Sequence, residues 1–329
     1  MQALAAQRFD PRTGRWLAAP PCRSVECARL TLVTYNLWFA EHRLEQRLGA
    51  LLEEVRRCTP DLVALQEVTG RHLALILDED WVRRDFQVSD ARGDTVRPHG
   101  VLLLSRLPLC GLGMVRLTSG KDRKALVADL AVNGQPLRLG AVHLESSETS
   151  TGLRLRQLEE VERAMGDVPH ALLTGDFNFD PGQGPEQARV EARYTDLWSA
   201  LRPGEPGYTE DTDVNRMRLL HKSREKRVRF DRVLMRSASP GWRPLAIRRL
   251  GTQPVTGGEP ALFPSDHFGL CAALTWEEGG ARLAGRRESP RATDSLPGGD
   301  PPGTGSSACS GHPAACSSGP GRYRCRRHR

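Results

Sequence analysis

The sequence predicts a mixed α/β domain in which β-sheets pack on one another and helices cover them. Three observations carry this. Between Arg29 and Trp276, short Val- and Leu-rich runs recur, bounded by Gly, Pro, Asn or Asp. Clear helical periodicity occurs only twice, in well-separated places. The whole stretch, about 250 residues, shows no internal repeat, which argues for one domain rather than two.

In chain order, residues 1–28 are mixed and Pro-containing and read as a poorly ordered N-terminal arm. RLTLVTYN (29–36) is the first predicted strand. Leu44, Leu48, Leu51, Leu52 and Val55 then fall on one face at helical spacing, with Arg and Glu opposite. Pro60 ends that helix, because proline lacks the N–H and its ring clashes with the preceding turn. DLVALQE (61–67), GVLLLS (100–105), KALVADLAV (124–132) and PLRLGAVHL (136–144) read as strands. A second helix starts near Ser150 or Thr151 and buries Leu155, Leu158, Val161 and Met165. HALLTGD (170–176), VRFDRVLM (228–235) and HFGLCAAL (267–274) complete the strands. The domain is therefore drawn as residues 29–276. Residues 277–329 are rich in Gly, Pro, Ser and Arg, lack apolar periodicity, and read as a disordered tail ending in RYRCRRHR.

The 47 basic residues outnumber 40 acidic ones, for a net charge of +7. Only four are lysines, a bias that suggests GC-rich codon usage more than a functional demand. The charge favours an anionic partner only mildly, since much of the excess lies in the tail. No apolar run approaches the roughly 18 residues of a membrane span. The N-terminus has charges where a signal peptide has its apolar stretch. The expectation is an intracellular monomer with no membrane association, cytoplasmic if bacterial and nuclear or cytoplasmic if eukaryotic. The eight cysteines form no paired CxxC motifs and are expected to be reduced and mostly structural.

Uncommon polar groups recur where apolar strands end. Asn36 follows LVTY, Glu67 follows LVALQ, His143 sits in GAVHLES, and Asp176 and Asn178 follow ALLTG. Asp231 lies in VRFDRVL, and Ser265, Asp266 and His267 precede the last strand. Each cluster alone has a plain structural reading, such as an Asx turn at Asp176 or a satisfied core imidazole at His143. Together they are coherent. Strand ends on one sheet edge converge, so these groups share a pocket. Glu67, Asp176 and Asp266 would repel there, and a hard divalent cation bound by oxygen, Mg²⁺ or Mn²⁺, relieves that repulsion. The asparagines and histidines supply donors to an anionic oxygen. Metal-assisted hydrolysis of a phosphate ester follows. No GxxxxGK loop and no GxSxG elbow is present.

TYN (34–36), LQE (65–67), HLES (143–146), GDFN (175–178) and SDH (265–267), in this order, resemble the endonuclease/exonuclease/phosphatase superfamily. YTEDT (208–212), VRFDR (228–232) and FPSDHFGL (263–270) are most similar to its 5′-tyrosyl-DNA phosphodiesterases. The resemblance implies a four-layer αββα sandwich of two packed, mostly antiparallel sheets with helices outside. It implies Glu67 as principal Mg²⁺ ligand with Asp266 completing the metal shell. Asp176 would orient or deprotonate water, Asn178, Asn36 and His143 would hold phosphate oxygens, His267 would stabilise the transition state, and Asp231 would orient His267. Ser146 would sit at the lid, and Arg123, Lys124, Lys222 and Arg227 are candidate phosphate contacts. The implied partner is DNA carrying a 5′ protein adduct. Three positions depart from the family pattern: Phe177 replaces Thr, Glu210 replaces an aromatic, and Asp180 replaces an arginine. These changes are expected to weaken a single-strand DNA groove. Rival readings are an exonuclease, an abasic-site endonuclease, a phosphatase on a small or lipid phosphate ester, and a non-catalytic binding protein.

Overall fold

A computed structural model describes residues 1–182, 184–220 and 223–278. With strands numbered in chain order, one sheet runs β1 (Gln2–Ala3), β8 (Leu109–Arg116), β9 (Lys124–Val132), β10 (Gln135–His143), β11 (His170–Asp176), β15 (Asp231–Ser237), β12 (Thr195–Asp196). The other runs β16 (Gly241–Leu250), β17 (Gly269–Glu277), β4 (Arg29–Asn36), β5 (Leu62–Val68), β7 (Gly100–Ser105), β6 (Gln87–Val88), β2 (Gln7–Asp10), β3 (Arg15–Ala18). A separate ribbon pairs β13 (Glu210–Asp211) with β14 (Arg227–Val228).

The parity of side chains along the strands builds the layers, because successive residues point to opposite faces. Leu30, Leu32, Leu62 and Ala64 meet Leu126, Ala128, Leu172 and Val233 in a core between the sheets. Their odd-numbered neighbours Val33, Tyr35, Val63 and Leu65 point outward and pack with Leu48, Leu51 and Val55 of α1 (Leu44–Arg57), in a cluster that also takes in Ile76 of α2 (Gly70–Asp78) and Val82 of α3 (Asp80–Asp85). On the other sheet, Val127, Ala171 and Leu173 pack with three apolar residues of α4 (Thr151–Met165), Leu158, Val161 and Met165. The result is the expected αββα sandwich. Among the described residues no helix is long and apolar enough to cross a membrane.

Each sheet contains one parallel pair, β4–β5 and β10–β11, and the other ladders are antiparallel. A parallel pair needs a crossover, and α1 and α4 provide them. Asn36 and His143 end β4 and β10, Asp176 ends β11, and Glu67 lies one residue before the end of β5. Asp231 opens β15 directly opposite Asp176. The crossover topology thus gathers the polar strand ends at one rim of the sandwich, the place where α/β sheets hold ligands.

Two expectations are corrected. Residues 1–28 are not a loose arm. β1 pairs with β8, β2 joins β3 to β6, and Val25 bridges to Val132. The strands are at most four residues long, too short to show a periodicity. The thiols are not all reduced either: Cys22 and Cys110 are disulfide-bonded across 88 residues of sequence. That separation lies outside any short spacing motif. The predicted disordered tail falls outside the described residues from position 279 onward.

Candidate active site

The rim opens into a cleft of about 1000 Å³ lined by Glu67, His143, Asp176, Asn178, Asp266 and His267 among others. Local backbone geometry aims each group. Glu67 sits at a bulge in the β5–β7 ladder with φ of 58°, and a bulge re-aims a side chain that regular pleating would turn elsewhere. Gly175 has φ of 131°, and a Cβ there would collide with the Val142 carbonyl, so glycine must precede Asp176. Asn178 is left-handed as well, at φ 55°, and its N–H donates to Asp176 Oδ1 at 2.9 Å. Such unfavourable backbone clusters at working sites.

Asp176 is the hub. Its Oδ2 accepts Asn36 Nδ2 at 3.0 Å and lies 3.4 Å from His143 Nε2. Burial, reinforced by the Asp231 carboxylate, pushes its pKa up to about 7 against the pull of His267. His143 is held well below its ordinary range, first by burial and then by the Arg123 guanidinium. Arg123 Nη1 donates to its Nδ1 at 2.8 Å, which leaves the proton on Nε2, facing Asp176 and Glu67. His267 has the opposite fate. Burial opposes its charge, but Asp231 and Glu210 outweigh burial and lift it well above the ordinary range. Its Nδ1 lies 2.8 Å from Asp231 Oδ2 and its Nε2 lies 3.3 Å from Glu210 Oε1. Thr209 braces the pair, accepting the N–H groups of Phe230 and Asp231 on Oγ1 and that of Phe268 on its carbonyl.

Glu67 Oε2 accepts the Phe39 N–H at 3.0 Å, while Oε1 stays in the cleft 3.9 Å from His143. Two clusters bring three possible metal-ligating atoms within 4.8 Å, one of Asp176, Asp231 and His267 and one of Glu210, Asp266 and His267. Glu67 belongs to neither. Both depend on His267, whose two nitrogens are already engaged by carboxylates, a hydrogen-bonded relay more than an open ligand shell. Glu67, whose carboxylate is partly exposed, and Asp266 both line the cleft, and carboxylate oxygens are the donors a hard cation takes.

Ser146 lies at the cleft mouth, where its Oγ accepts Lys121 Nζ at 2.7 Å. Arg123 lines the cleft but serves His143 from beneath. Lys124 does not line it: its ammonium is buried against the Arg97 carbonyl at 3.0 Å and Asp122 at 2.7 Å. Arg227 pairs with Asp213 and faces a smaller side cavity that shares Ser146 and Asn178 with the cleft. Lys222 lies outside the described residues.

The departures also look different in three dimensions. Phe177 is buried against the α4 layer, edge-on to Phe179, and so does not change a surface groove. Asp180 lines the side cavity and caps Gly182. Glu210 is buried, pairs with Arg218 at 3.1 Å, and joins the His267 relay. Two residues escaped the sequence reading. Arg47, on the apolar-looking α1, is buried beneath the cleft floor. Phe39 remains half exposed at the mouth. Neither carried a motif, although a buried-face arginine inside the α1 repeat was a visible exception.

Comparison with known proteins gives a consistent answer. Residues 33–267 match the Endonuclease/Exonuclease/phosphatase family. The chain is 29% identical over 252 residues to Tyrosyl-DNA phosphodiesterase 2 of Xenopus laevis, covering 74% of this chain and 66% of that protein. The Homo sapiens protein of the same name is 25% identical, covering 74% and 67%. The chain thus spans about two thirds of the length of the curated relatives it matches. In fold it is similar to D. rerio TDP2 complexed with single strand DNA product, with a TM-score of 0.65, 23% identity and coverage of 76% of this chain and 100% of that one. ANGEL2, a 2′,3′-cyclic phosphatase, shares the fold at a TM-score of 0.59 and 16% identity, covering 75% and 95%.

Proposed function

We propose that this chain, which belongs to the endonuclease/exonuclease/phosphatase family, hydrolyses the phosphotyrosyl bond at a DNA 5′ end with the help of a bound Mg²⁺. The observation that carries this reading is the tuning of Asp176. A carboxylate with a pKa of about 7 beside neutral donors suits a base acting near neutral pH. The similarity to Tyrosyl-DNA phosphodiesterase 2 supports the choice of substrate.

Asp176 orients the attacking water and takes its proton as the new P–O bond forms. Asn36 and Asn178 offer amides, His143 its Nε2–H and His267 its charge to the phosphate oxygens. Glu67, with Asp266, would hold the cation, which when bound supplies Lewis-acid neutralisation of developing negative charge. The bond to the tyrosine oxygen then breaks and leaves a 5′-phosphate. Tyrosine has a pKa of about 10 and departs without a dedicated acid. A nuclease expels a more basic alkoxide from a normal strand and depends more on assistance at that step. The reading places the protein inside the cell, acting as a monomer on damaged DNA.

The test is a side-by-side assay with Mg²⁺ of a 5′-phosphotyrosyl oligonucleotide, an abasic duplex and an unmodified strand. Fastest release of tyrosine is expected, and preference for the abasic duplex would transfer the assignment to an endonuclease. A second expectation concerns the metal. Chelation should abolish turnover, and Glu67→Gln, which keeps the shape but removes a charge, should respond only partly to excess Mg²⁺ or Mn²⁺. Full activity in chelator sinks the metal-assisted mechanism.

A further inference from the structure

Among the described residues with exposed large apolar side chains, Phe39 alone lines the cleft that holds Glu67 and His267. About half of its surface, 49%, is open. One ring face lies against His99, with centroids 5.1 Å apart and planes within 7°. His99 is half buried and its pKa is lowered mainly by that burial, so the pair presents a neutral π surface.

The loop carrying the ring is held rigid. The buried Arg47 guanidinium donates to the carbonyls of Leu37, Trp38, Ala40, His42 and Pro264 at 2.6 to 3.3 Å. It also lies 4.7 Å from the Trp38 ring centre. Phe39 adds its own N–H to Glu67. The backbone on both sides of Phe39 is thus fixed, and His99 lies against one face of its ring. An aromatic kept exposed by a preorganised loop is poised for a partner with a flat face.

We infer that Phe39, backed by His99, is the stacking platform for the nucleobase of the substrate's 5′-terminal nucleotide. The inference rests on the reading of DNA as substrate given above. Through its N–H the residue touches Glu67, the group assigned to the cation, so the ring stands beside the place where the scissile phosphate would meet that cation. The base nearest that phosphate is the terminal one. Lys121 and Arg123 line the same cleft, and aromatic rings beside cations are the common pattern of sequence-tolerant single-strand binding. The platform also answers the buried Glu210, which stands where the family pattern has an aromatic.

The test compares the full-length protein with Phe39→Ala and Phe39→Trp on two 5′-phosphotyrosyl oligonucleotides, one with a 5′-terminal thymidine and one with an abasic residue there. Truncation leaves the backbone N–H on Glu67 in place. Phe39→Ala should lower kcat/KM about 5- to 150-fold on the thymidine substrate, leave the abasic substrate unchanged, and be rescued by Phe39→Trp. Equal losses on both substrates would overturn the proposal and assign the ring to the tyrosine or to support of Glu67. No loss on the thymidine substrate overturns it as well. If the wild-type protein cleaves neither, the parent reading of the substrate fails, and the platform is judged by binding of fluorescent single strands with and without the 5′ base. Weaker binding of Phe39→Ala confined to the strand with the base supports it, and equal weakening on both strands, or none, sinks it.

Discussion

Asp176→Asn is expected to abolish turnover and at the same time to stabilise the protein at neutral pH. The catalytic loss follows from removing the base, about 10²- to 10⁴-fold for a group of this kind. The stability gain follows from linkage. An ordinary aspartate titrates at 3.8, and in the folded protein Asp176 does so at about 7. The folded state therefore binds this proton more tightly than the unfolded state. Its contribution to stability is fully present below the unfolded value, is lost as pH rises through the interval up to about 7, and stays lost above. Asparagine never carries the buried charge and has no such slope. Melting curves in chelator at pH 5 and pH 8 should show wild type losing several degrees more than Asp176→Asn over that interval, since about 1 kcal/mol moves a domain of this size by about 2–4 °C. Parallel pH dependences in the two proteins would mean that Asp176 is not strained by burial, and its assignment as a tuned base would fall with that result.

The same burial explains how much of the molecule could be read in advance. The strands bounded by clear turn residues, such as β5 and β11, were legible because their apolar runs are continuous. Their ends carried the only polar groups out of keeping with the run, and Asn36, Glu67, His143, Asp176, Asn178, Asp231, Asp266 and His267 were found for that reason. β16 was missed because Pro244 and several arginines interrupt it, which an edge strand tolerates and a central one does not. β8 was missed because Gly111 and Gly113 dilute its pattern. Sequence order showed that Glu210 departs from the family pattern but not what it meets. Its partners Arg218 and His267 approach only once the β13–β14 ribbon is laid over the rim. Lys124 shows the converse: a cation near the right motif is spent on Arg97 and Asp122. Arg47 stands out in the sequence only as an arginine inside the α1 repeat; its role is to satisfy backbone carbonyls of a loop, and no residue type announces that need.

The relay through His267 yields the sharpest mutational prediction. His267→Ala removes a buried cation aimed into the cleft and should lower kcat by about 10²- to 10³-fold, as for other donors to developing negative charge. Asp231→Asn leaves the imidazole in place but weakens the 2.8 Å contact that fixes its orientation and charge, so its effect should be smaller. Because Asp231 acts through His267, the double variant should be no slower than His267→Ala alone. Glu210 enters the same logic from the other nitrogen. It competes with a phosphate oxygen for Nε2, and Arg218 holds it in that position. Glu210→Gln therefore removes a charge that helps to keep His267 protonated and also loosens its grip on the donor. The two consequences oppose each other in kcat, but both vanish in the His267→Ala background. Measuring kcat for the three single variants and the two doubles decides the matter: effects of Asp231→Asn and Glu210→Gln that persist undiminished without the imidazole would show that these carboxylates act elsewhere, and the relay would have to be abandoned.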